Sequence, residues 1–188
     1  ADGTHRFEGM LLVKDKSRQT LYELRDMTEK IPSPEVPELG PENWYGALYY
    51  AVVPVKKGGK TYYTLLGWKG VSKIETRKVI EVLGFKGNTP RFGAPLFGAG
   101  RLKRNRVVFG YSFQVSMSLR WDASGQRIIC DHLAPMQPDL EGKWAFYGPD
   151  LSYDAYLWDK GRWLYQRDVD ARGTGEGKPY NPPPKNTP

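Results

Sequence analysis

Two stretches of the chain carry the residue types for chemistry. The first is YDAYLWDKGRWLYQRDVDARG, residues 153–173, which gathers five aromatics and the carboxylates of Asp154, Asp159, Asp168 and Asp170 around a Lys-Gly turn. The second is ICDHL, which sets Cys130 and His132 two residues apart. Carboxylates doing acid–base work on a glycosidic bond must face each other, roughly 5 to 9.5 Å apart. A two-residue turn at Lys160-Gly161 instead pairs Trp158 with Trp163, Tyr156 with Tyr165 and Asp154 with Arg167. Asp168 then falls on the face opposite Asp154, and the stretch reads as an aromatic ladder closed by an ion pair. Asp154 and Trp163 are the hairpin residues expected to touch a ligand, and a glycan is the class they suit, bound or hydrolysed.

Cys130 and His132 share one face of a strand. Neighbours at i and i+2 point in parallel, and a thiol–imidazole dyad needs the two groups turned toward each other with a third to orient them. The pair therefore reads as packing. The segment RLKRNR supplies Arg101, Lys103, Arg104 and Arg106 as candidate contacts for a polyanion. Nucleic acid is not favoured, because that would need bases interleaved with exposed aromatics over a wider surface. KKGGK lacks the spacing of a phosphate loop and opens onto a strand. One cysteine and two histidines make neither a disulfide framework nor a zinc site, and no metal or cofactor is expected.

The elements that must position these residues read as strands. Aromatics make up 13% of the 188 residues, with 21 glycines and 15 prolines, which favours short strands joined by turns. No 18-residue apolar run is present, so no membrane-spanning helix is expected. FEGMLLV and TLYELRD form a first hairpin. IPSPEVPELGPENW, with four prolines, is a connector over residues 31–43. WYGALYYAVVPV and TYYTLLGWKG are joined at Gly58-Gly59, the strongest hairpin signal in the chain. TRKVIEVLGF is read as strand because of its β-branched residues. GNTPRFGAPLFGAG is read as irregular, and RVVFGYSFQVSMSLRWD as one long alternating strand.

A faint repeat ends strands at Trp68, Trp121 and Trp158, each followed by a charged residue that turns the chain into solvent. The predicted fold is all-β: an antiparallel meander of hairpins forming a barrel or sandwich over residues 1–172. A Pro-rich tail follows at 173–188, in which Tyr180 is the large apolar anchor.

The net charge is +7. Between Asp139 and Asp170 seven acids meet four bases, so the rest of the chain carries +10. A basic body with an acidic flank suits a docking surface. A chain that begins at Ala1 without an apolar signal core is expected to be a processed or cut form.

Taken in order, the phrases WYGALYYAVVPVKKGGKTYYTLLGWKG, SMSLRWD, DHLAPMQPDLEGKWAFYGPDLSYDAYLWDKGRW and DVDAR resemble a family of uncharacterised exported proteins of Bacteroidota. The resemblance covers most of residues 44–172. It implies a periplasmic or outer-membrane-associated location and no catalytic residues. Where that family commonly continues LGW with Asp, this chain has Lys69. Together these readings predict a non-catalytic envelope protein that binds protein partners or further copies of itself. The alternative is a glycan-binding or glycan-hydrolysing β domain. A groove holding Asp154 and an exposed Trp is the mark of the second.

Overall fold

The computed structural model describes residues 4–15, 18–98 and 104–171. The architecture is all-β, with antiparallel sheets built from hairpins and no α-helix among the described residues. β1 (Glu8–Asp15) and β2 (Arg18–Arg25) form a two-stranded ribbon. β3 (Leu48–Lys57), β4 (Lys60–Gly70), β5 (Glu75–Lys86) and β6 (Thr89–Phe92) form the larger sheet in that order, and β7 (Val107–Ser112) pairs with the first half of β5. β8 (Leu119–Asp122), β9 (Arg127–Pro135), β10 (Tyr147–Asp159) and β11 (Arg162–Gln166) form the smaller sheet, ordered β11-β10-β9-β8.

The expected turn chemistry is present. Gly58 and Gly59 have φ of 56° and 75°, the left-handed pair that a primed hairpin turn needs. One expectation is corrected: residues 106–122 are not one strand. The chain leaves β7 at Ser112, turns through Phe113 to Val115, and enters the other sheet as β8. The alternation persists across this corner because Tyr111, Met117 and Leu119 all face the same core from two different sheets. The segment GNTPRFGAPLFGAG also holds more order than expected, since it supplies β6 and the buried Leu96 and Phe97.

The two sheets pack face to face in a sandwich-like arrangement. Val53, Leu66, Ile80, Val107 and Tyr111 of the larger sheet meet Leu119, Ile128, Cys130, Tyr156 and Trp163 of the smaller. Trp163 is 1% exposed and donates its indole N–H to Thr64 Oγ1 at 3.0 Å, joining the sheets at their centre. Trp68, Trp121 and Trp158 are only partly buried, so the expected plugs lie at the margins, and the tryptophan enclosed between the two sheets is Trp163.

The larger sheet is covered on its other face too. Leu39 of the Pro-rich connector and Trp44 and Tyr45 just after it pack there with Leu65, Val79, Leu83 and Phe92, and the β1–β2 ribbon adds Leu11 and Leu24. Burial on both faces explains the unbroken buried runs Thr64–Gly67 in β4 and Val79–Gly84 in β5, where an alternating pattern would be expected if one face met water. Two buried cations hold this outer layer. Arg106 pairs with Glu81 at 2.8 Å and donates to the carbonyls of Pro34, Pro37 and Phe92, so it ties the connector down. Lys69 donates to the carbonyl of Gly46, lies 3.5 Å from Asp26, and faces the rings of Phe7 and Tyr45 at 4.7 and 4.8 Å. The charge after Trp68 therefore turns inward, against expectation. Burial lowers the Lys69 ammonium to about 8, with Asp26 acting in the opposite direction.

Candidate functional site

The hairpin of β10 and β11 folds in the predicted register. Lys160 and Gly161 take φ of 45° and 79°, and Trp158 pairs with Trp163, Tyr156 with Tyr165 and Asp159 with Arg162. The ladder does not close on an Asp154–Arg167 ion pair. The chain leaves the sheet after Gln166, and the left-handed Asp168 (φ 55°) brings its own N–H to Asp154 Oδ1 at 3.1 Å. Asp154 Oδ2 accepts from the Tyr165 hydroxyl at 2.6 Å and meets His132 Nδ1 at 2.7 Å. This carboxylate is 4% exposed and has a donor on every side.

His132 reaches Asp154 because Cys130 is the cross-strand partner of Asp154, which makes the imidazole its diagonal neighbour. Arg167 Nη2 stands 3.4 Å from His132 Nε2. A guanidinium only donates, so Nε2 takes the acceptor role and Nδ1 carries the proton given to Asp154. Cys130 is fully buried, and burial pushes its thiol up to about 12, too high for a nucleophile near neutrality. The thiol is packing, and the imidazole is oriented by a carboxylate across the sheet.

Asp154, His132 and Tyr165 lie where the inner face of the smaller sheet runs out from under the larger one. A cleft of about 630 Å³ opens there, between β7 on one side and β9 to β11 on the other. Tyr156 lines it, with the rings of Phe97, Phe109 and Tyr165 at 6.1, 6.5 and 5.4 Å from its own. Trp144, from a 3-10 turn over Trp144–Phe146, forms a wall with Tyr147 at 4.8 Å. Trp144 lies directly on Gly110, where an added Cβ would meet the Trp144 Cβ at 2.7 Å. It is 47% exposed, and its indole N–H has no partner among the described residues. Arg104 also lines the cleft, with no hydrogen bond or ion pair from its guanidinium to a described residue.

The backbone of β7 completes the site. Phe113 N–H donates to Ile74 C=O at 3.0 Å in continuation of the β5–β7 register. Antiparallel bonding alternates, so Val107, Phe109 and Tyr111 turn their N–H and C=O groups to β5, while Val108 and Gly110 turn theirs away. No described strand pairs with that outer edge. Val108 packs against the layer of Leu39, Trp44 and Tyr45 and also lines the cleft, so this edge of β7 borders the cleft.

The predicted site residues therefore divide. Arg104 from the basic segment and Asp154 from the hairpin come together on one cleft. Trp163 is buried in the core, and Arg106 is buried on Glu81, so neither offers a surface to a glycan or polyanion. Arg101, Lys103 and Tyr180 lie outside the described residues. Sequence reasoning missed Trp144, Phe109, Tyr165 and His132 as neighbours. The hairpin register carried Tyr165, but the pairing of β9 with β10 has no local signal. Among the described residues no cluster of His, Cys, Asp and Glu could hold a metal ion. No helix among the described residues is long and apolar enough to cross a membrane. No protein-family model, curated protein or solved structure matches the chain.

Proposed function

We propose that the protein is a non-catalytic binding domain that takes an extended segment of a protein partner into the cleft, as an envelope protein engaged in assembly. The observation behind this reading is the free edge of β7, whose unpaired backbone groups at Val108 and Gly110 open onto an aromatic-lined groove. Buried or half-buried peptide groups require partners, and an extended chain supplies them in register while aromatic walls take its side chains. Against catalysis stands Asp154, whose oxygens are all engaged, with no serine or reactive thiol bonded to His132 among the described residues. A saccharide is the second reading, favoured by the half-exposed Trp144 beside Asp154 and His132.

The test uses random twelve-residue peptides displayed on phage and panned on the full chain. Selected peptides should shift the amide signals of Val108 and Gly110 and bind at least about tenfold more weakly to Val108→Pro. That substitution deletes the outward N–H, and a proline on a free edge leaves the ladder to β5 intact; Val108→Ala, which keeps the N–H, controls for the lost side-chain packing. Peptides that bind Val108→Pro unchanged would refute the edge as the site. An oligosaccharide array that binds through Trp144 while no peptide does would put the second reading in its place.

A further inference from the structure

We infer that one occupant of this cleft is the chain's own segment 172–188, docked in cis, an inference that rests on the cleft being a binding site for extended protein segments. The chemistry on the two sides is complementary. The cleft offers donors that no described residue pairs: the Trp144 indole N–H, the outward N–H groups of Val108 and Gly110, and the Arg104 guanidinium. The segment contains five prolines, which have no N–H to place and keep their carbonyls as acceptors. Proline-rich chains are received by aromatic-lined grooves, with ring faces between aromatics and an indole donating to a carbonyl. Tyr180, beside Pro179 and ahead of Pro182, is the side chain suited to the space between Trp144, Phe109 and Tyr165.

Charge and reach agree with this assignment. Residues 172–188 contain Arg172, Lys178 and Lys185 against Glu176, a net +2. Among the residues that line the cleft, the carboxylates of Asp131 and Asp154 outnumber the one guanidinium, that of Arg104. The described chain ends at Ala171, whose carbonyl accepts from Arg120, next to the Asp170 carbonyl that accepts from Arg127. Arg127 and Asp131 are four residues apart on β9, about 13 Å. Tyr180 is nine residues beyond Ala171, a reach of about 28 Å in polyproline geometry. The segment is thus long enough to pass round the edge of the smaller sheet, and tethering gives it a millimolar effective concentration over any free competitor. A partner segment would bind by displacing it.

The experiment replaces Tyr180 with the photo-cross-linker p-benzoylphenylalanine in the full chain. Irradiation should give an adduct at monomer mass, mapped to Phe109, Trp144 or Tyr147, with a yield independent of protein concentration. The adduct should be lost in Trp144→Ala, and Trp144→Phe, which keeps a ring and deletes the N–H, should lower its yield. A cleft adduct at dimer mass that grows with concentration would assign the segment to a second copy and overturn docking in cis. An adduct elsewhere, or none, would overturn the inference altogether. Displayed peptides that still bind through Val108 in that case would leave the reading of the cleft standing, whereas their absence as well would remove both.

Discussion

Glu81 and Asp154 are both buried carboxylates surrounded by donors, and they serve opposite ends. Glu81 is wholly inside, bonded to Arg106 and to the Val82 N–H, and Arg106 spends its remaining donors on carbonyls of the connector. Burial raises the Glu81 carboxyl while Arg106 opposes the rise. Every polar group there is answered from within the chain. Asp154 is nearly as deep, but the groups that answer it, His132 and Tyr165, stand at the wall of a cleft. Beside them the Trp144 indole, the Arg104 guanidinium and an edge of β7 find no partner among the described residues. A closed polar cluster organises the fold; an open one organises a surface for something else.

The contrast can be broken most severely at the closed end. Arg106→Met should cost about 3 to 5 kcal/mol in urea denaturation, because it leaves a buried carboxylate without a partner. Glu81→Leu added to it should recover most of the loss, since an apolar pair removes both charges. No recovery would mean that the connector carbonyls, not Glu81, set the cost.

Trp163→Ala should lose a comparable amount, about 3 to 5 kcal/mol, by leaving a cavity between the sheets and an orphaned Thr64 hydroxyl. Trp158→Ala, at the partly exposed margin, should lose clearly less. Equal losses would place the two rings in equivalent surroundings and contradict the burial seen here.

Lys69 gives the comparison a pH axis. Its folded value near 8 lies below the ordinary 10.5, so above pH 8 the unfolded chain holds a proton that the folded chain has released. Stability should therefore rise with pH through this group, by on the order of 2 kcal/mol between pH 8 and 9.5. The raised thiol of Cys130 works in the opposite direction above pH 9. The quantity to read is thus the wild-type stability minus that of Lys69→Met. That difference should widen as pH rises, and a flat difference would mean that the ammonium is not held in a depressed state.

The smallest effect belongs to the open cluster. Asp154→Asn should cost about 1 to 2 kcal/mol, because one amide cannot accept from three donors. The fold should persist while the imidazole loses its anchor. Nitrogen NMR should then show the Nδ1-protonated tautomer of His132 replaced by a mixture, and a retained single tautomer would assign its orientation to something other than Asp154.

What could be read from the sequence was local. Gly58-Gly59 and Lys160-Gly161 fix their turns through backbone conformation, and the register of each hairpin follows from its turn. The strand between Thr76 and Phe85 was legible from its β-branched residues. Arg106 and Lys69 were not, because a charge in a sequence implies solvent unless its partner is known. Glu81 lies 25 residues from Arg106, and Asp26 lies far up the chain from Lys69. The cleft was half legible. Arg104 and Asp154 were singled out in separate stretches, and only the pairing of β7 with β5 and of β9 with β10 brings them to one place.

The Arg106 clamp also sets an order of events in time. Its contact with the Pro34 carbonyl spans 72 residues, so the connector cannot be secured until β5, β6 and the start of β7 have come together. Contacts of such long range form late, after the loop-closure cost of the intervening chain has been met. Weakening them should quicken unfolding while leaving the folding rate almost unchanged. The connector would then be the first layer to loosen when the protein begins to open, and the two-sheet core the last to give way.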